Sequence, residues 1–102
     1  MKEDSVIQPD TPTILFIVGE GTYLDNGKVH VTNNDQHGDA VMFSLVICPE
    51  NLGLNIPGNM LLEANKTATI AIDTQLRQGA QILLRTSSAN LTAKVEGNIV
   101  HI

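Results

Sequence analysis

Apolar residues in this chain recur mostly at every second position, which is the period of a strand with one buried face. The clearest case is Ala40 to Ile47, where Val41, Phe43, Leu45 and Ile47 fall on one side and Met42, Ser44 and Val46 on the other. Cys48-Pro49 ends it, because proline has no amide to donate to a ladder. Thr67 to Ile72 alternates with Ile70 and Ile72 inward and its threonines outward. Lys28 to Val31 sets Val29 and Val31 toward the core and His30 opposite. Thr13 to Val18 differs: T-I-L-F-I-V is apolar throughout, which predicts a strand buried on both faces. No window of about 11 residues or more carries a helical stripe.

The breaks between these runs are made of turn residues. Asp25-Asn26-Gly27 separates Thr22-Tyr23-Leu24 from Lys28 to Val31 and predicts a tight hairpin, since Asn-Gly suits a turn with positive φ at both central positions. Asn33 to Asp39 is a polar loop. Leu52, Leu54 and Ile56 share a face in a short strand closed by Pro57-Gly58, and Met60 to Leu62 resumes the pattern. Asp73 to Gly79 reads as a turn in which Gln75-Leu76-Arg77 has room for one helical turn at most. Gln81 to Thr86, Leu91 to Glu96 and Asn98 to Ile102 complete the set, the last two parted by a Gly97-Asn98 turn. About seven to nine short strands with such breaks predict an all-β, antiparallel sandwich. The expected organisation is a polar N-terminal arm over residues 1–12, punctuated by Pro9 and Pro12, followed by a β-sandwich domain over 13–102.

The order of features from Lys28 to Ser87 adds a resemblance. A strand ends in Val31-Thr32-Asn33, a polar loop follows, then the long alternating strand Val41 to Ile47 and the proline-bounded Leu52 to Pro57. Next come Leu62 to Ile70, read as Leu-x-x-Asn-x-Thr-x-x-Ile, and the glycine-led strand Gly79 to Leu84. This resembles the immunoglobulin-like sandwiches of PapD-type chaperones and major sperm protein. The resemblance implies an immunoglobulin-like architecture and not an activity. Ala64-Asn65-Lys66 stands where those families usually carry Pro-Gly, and the paired basic residues that hold a client carboxylate are missing. The Cys…Trp…Cys pattern of antibody domains is missing too.

Composition narrows the function classes. The 102 residues fit one domain, with 42% hydrophobic and 17% charged, enough apolar material for a core. Trp is absent and Phe and Tyr total three, so side chains that stack on bases are nearly missing. The net charge is −5, and the basic residues Lys2, Lys28, Lys66, Arg77, Arg85 and Lys94 are scattered. Binding of nucleic acid needs such residues clustered, so neither nucleic acid nor membrane insertion is expected. The longest apolar run, Ile14 to Val18, is far short of the roughly 20 residues that span a bilayer. Met1 to Ser5 lacks an apolar leader, so the expectation is a chain made in soluble form in the cytoplasm, with a virion as one destination.

Candidate chemistry is sparse. Asp35, His37 and Asp39 offer oxygen and nitrogen ligands, but the closing glutamate of a calcium loop is missing and turn chemistry selects the same residues. Cys48 is a nucleophile only if His30 or His101 sits beside it. His30, His37 and His101 show no pairwise zinc spacing. Gly19-Glu20-Gly21 lacks the third glycine of a dinucleotide fingerprint, and Ser44, Ser87 and Ser88 lack a nucleophile elbow. Asn65-Lys66-Thr67 and Asn90-Leu91-Thr92 match the glycosylation acceptor pattern, with strand-edge sequence as the plainer reading.

No catalytic, cofactor-binding or metal residue is assigned, and the expectation is a non-catalytic structural or assembly protein. Virion decoration or tail components and other multimeric surface assemblies are the type, with protein partners that include copies of itself. The alternative is an accessory module that binds protein or peptide along an exposed sheet edge, at Leu91 to Ile102 or near Thr67. A polar arm is ordered only when something holds it, which points to a neighbouring chain as the partner of residues 1–12.

Overall fold

The computed structural model describes residues 5–7, 9–48, 59–72, 74–88 and 90–102. Nine strands lie among them: β1 (Ser5–Val6), β2 (Thr13–Ile17), β3 (Thr22–Asn33), β4 (Val41–Cys48), β5 (Met60–Leu62), β6 (Thr67–Ala71), β7 (Leu76–Arg77), β8 (Gln81–Thr86) and β9 (Leu91–His101). They form two antiparallel sheets. One runs β1-β9-β3-β6, with β7 also on β3, and the other runs β2-β8-β4-β5. The fold is an all-β antiparallel sandwich. The last strand, β9, lies beside β3, and β8 lies between β2 and β4. The short strand expected over Leu52 to Ile56 falls outside the described residues.

The alternating runs land as their pattern predicts. Val41, Phe43, Leu45 and Ile47 of β4 meet Val29 and Val31 of β3, Ile82 and Leu84 of β8 and Leu91, Ala93 and Val95 of β9 in one aliphatic layer. Ile70 and Ile72 join it, and Thr67 and Thr69 face solvent. Burial of a Val, Leu or Ile side chain stabilises by about 1.5–3 kcal/mol, so this inner layer dominates the energetics.

Both expected Asn/Gly turns around the long ladder are corrected. Asp25-Asn26-Gly27 makes no hairpin, and Gly97-Asn98 does not divide the last strand: β3 and β9 run unbroken through these positions and pair with each other. Asp25 opposes Asn98 and Lys28 opposes Glu96, so Asn26 and Gly27 together face Gly97 across a β-bulge. Asn26 supplies the left-handed turn of the bulge with φ 53°. A Cβ on Gly97 would stand 3.1 Å from both the Asp25 carbonyl oxygen and the Gly27 Cα, so glycine is required by close approach of the two backbones. The extra residue shifts the phase of β3, which is how Leu24 and Val29 both point inward although five positions apart. Residues that permit a hairpin turn also permit a bulge, and the pairing partner 70 positions along the chain selected the bulge.

Three further expectations change. Gln75-Leu76-Arg77 contains no helical turn; Leu76 and Arg77 form β7, which takes over the edge of β3 beyond the bulge and buries Leu76 completely. Thr13 to Val18 is not covered on both faces. β2 is an edge strand with a bulge between Ile14 and Phe16, and Ile14 and Ile17 are half exposed. The described part of the arm is also held by its own chain. Ser5 and Val6 pair with Ala93 and Thr92, Ile7 is buried in the core, and the Asp10 amide donates to the Thr86 carbonyl (2.8 Å). The segment crosses from one sheet to the other and closes that side of the sandwich.

Candidate functional site

The loop after β3 was the densest group of potential ligands, and its geometry is that of a knot. Asp35 is buried, and its Oδ2 accepts the amides of His37 (3.1 Å) and Asp39 (2.7 Å) while Oδ1 accepts Asn90 Nδ2 (2.9 Å). Asn33, fully buried, donates from Nδ2 to the carbonyls of Asp39 (3.0 Å) and Leu62 (2.9 Å) and accepts the Asp35 amide on Oδ1 (2.9 Å). Backbone bonds Asn34 to Asn90 and Asn65 to Asn33 tie in the neighbouring loops. Both oxygens of Asp35 are thus engaged by donors of the chain itself, while His37 and Asp39 are exposed. Among the described residues no three histidine, cysteine or acidic side chains come together as a metal site.

The remaining chemistry-bearing residues are dispersed. Cys48 is half-buried at the end of β4, and His30 and His101 belong to strands of the other sheet, so no cysteine–histidine pair forms. Gly19 to Gly21 is a turn in which Gly19 accepts both the amide and the hydroxyl of Thr22, and β3 follows where a phosphate site needs a helix. Asn90 is held by Asp35, and Asn65 occupies a turn with φ 63°. Ser88 Oγ accepts the Asn90 amide and serves the same loop.

What the strands do bring together is two outer surfaces of different chemistry. On the five-stranded sheet the outward side chains around His30 are polar. Thr32 and Thr67 share a hydrogen bond (2.9 Å), and His30 Nε2 donates to Glu96 Oε1 (2.6 Å). His30 Nδ1 is hydrogen-bonded with the Thr69 hydroxyl (2.9 Å). The His30 hydrogen bond holds the Glu96 carboxyl below the usual carboxylate range, against slight desolvation and with help from the charges of His30, Lys28 and Lys94.

The four-stranded sheet turns a different side outward. Ile14 pairs with Leu83 and Leu83 with Val46; Ile17 pairs with Gln81 and Gln81 with Cys48; Met42 pairs with Leu61. Ile14 is 49% exposed, Ile17 51%, Met42 52% and Leu61 65%. Among the described residues the only charge in these rows is Arg85, opposite Ser44. A depression of about 370 Å³ opens beside it, bordered by Asp10, Met42, Ser44, Asn59 and Arg85. Four of the six large hydrophobic side chains that the described residues expose therefore share one face. Alternation along β4 already set Met42 outward; the contribution of Ile14 and Ile17 depended on β2 taking the sheet edge.

Comparison with family models, curated proteins and solved structures matched nothing. The described residues contain no helix long and apolar enough to cross a membrane.

Proposed function

We propose that this chain is a non-catalytic assembly subunit of the virion-decoration or surface-assembly type, joined to its protein partners through the outer face of the four-stranded sheet. The observation that carries this reading is the concentration of Ile14, Ile17, Met42 and Leu61 on that face. Scattered exposed hydrophobics are ordinary, whereas several gathered on a single sheet face mark a candidate interaction surface. Burial of such a face supplies association free energy without any need for converging titratable groups.

Hydroxyl-radical footprinting tests it, comparing the isolated chain with the complex recovered from its native source. Met42 and Leu61 are expected to be protected in the complex while Ile99, on β9, keeps its reactivity. Equal oxidation of Met42 in both samples removes the proposal.

A second reading is peptide capture by strand addition to β9. Among the described residues β1 covers β9 only at Ala93 and Thr92, which pair with Ser5 and Val6. Ile102 donates its amide to the Gly21 carbonyl, so Ile99 and His101, at odd positions, direct their backbone groups away from β3. An extended peptide could dock there.

A further inference from the structure

We infer that the outer face of the four-stranded sheet seats a second copy of this chain in two-fold contact, with Arg85 of each copy set against Asp10 of the other. The inference rests on the assembly reading and names its partner. Arg85 and Asp10 border the same depression. Among the described residues the one ion pair is His30–Glu96, so neither Arg85 nor Asp10 is paired with another described charge. A surface that carries one cation and one anion side by side, both unpaired, complements a copy of itself turned by 180°. The contact of residue i with j then recurs as j with i. Around these charges the rows of Ile14, Leu83, Val46, Met42 and Leu61 carry no further charge, so two copies meet there without like-charge repulsion despite a net charge of −5 each.

Size sets the strength of the contact. Four strands about 4.8 Å apart and about six residues long at ~3.4 Å each give a flat footprint of about 400 Å². A standard stable interface covers about 800 Å² per partner. The dimer is therefore reversible and concentration-dependent, and the two reciprocal ion pairs matter to it because the apolar footprint is small.

Analytical ultracentrifugation over a wide concentration range tests the inference. The native chain is expected to move from monomer to dimer as concentration rises. Arg85→Glu and Asp10→Arg should each weaken dimerisation at least tenfold, and the combined swap Asp10→Arg with Arg85→Asp should restore it, which also shows that the single variants had folded. A chain monomeric at every concentration, single variants that dimerise like the parent, or a double swap that stays monomeric each overturn the inference. Met42 protected in the native complex alongside a strictly monomeric pure chain rejects the second copy as occupant and leaves the assembly face standing. Loss of both results removes the two proposals together.

Discussion

The two outer faces of this sandwich rest on the same aliphatic core and do different work. The face built by β3, β6 and β9 spends its side chains on each other, through Thr32–Thr67, Thr69–His30 and His30–Glu96. The face built by β2, β8, β4 and β5 leaves Ile14, Ile17, Met42 and Leu61 without a cover among the described residues. Polar cross-strand pairs satisfy a sheet surface against water, whereas apolar ones gain only when something removes them from it. The contrast is the ground for proposing a protein contact on the second face.

The contrast also implies that stability resides in the inner layer and the loop knot, leaving the outer faces free to vary. Asp35→Ala is the most damaging of the substitutions considered, because it removes the acceptor of three partly buried hydrogen bonds that tie the loop together. A loss of about 3 kcal/mol is expected in urea denaturation; a loss no larger than that of an outer-face variant would undo the distinction. Gly97→Ala comes next, at about 2 kcal/mol, since the new methyl group meets the backbone of Asp25 and Gly27. Its chemical shift changes should centre on the β3–β9 bulge. Leu61→Glu, fully on the apolar face, should change stability by less than about 0.5 kcal/mol yet abolish association. Denaturation and sedimentation measured on the same sample separate the two effects.

The smallest effect belongs to Glu96→Gln on the polar face. The Glu96 carboxyl titrates lower in the folded chain than in the unfolded one, so between the two values the unfolded chain binds more protons. The pair with His30 thus contributes fully above the ordinary carboxylate range, about pH 4.3, and its contribution is lost as pH falls through the folded value. The variant should show a flatter decline of the denaturation midpoint from pH 6 to pH 3 than the parent. Identical declines would show the face to be indifferent to that pair.

Much of this was legible along the chain, and the rest was not for identifiable reasons. The inward set of β4 and the outward threonines of β6 follow from period two alone, because neighbouring side chains on an extended backbone must point to opposite faces. The polar group at 33–39 was visible as well, yet Asn33 looked no different from its neighbours until Leu62 and Asp39 were brought to its amide. Asn26-Gly27 and Gly97 announced backbone freedom without saying whether it served a turn or a bulge. That choice belongs to the partner strand.

By itself, then, the sequence determined an all-β chain, its core residues and the positions where the backbone could leave regular geometry, since each depends on contacts between near neighbours. Only the tertiary structure decided that β2 lies at an edge, that residues 5–7 close the sandwich, and that Arg85 and Asp10 border one depression beside an apolar face that no described residue covers. Those facts depend on which strands pair across long stretches of chain, and an apolar residue carries no local mark of whether its second face will be covered.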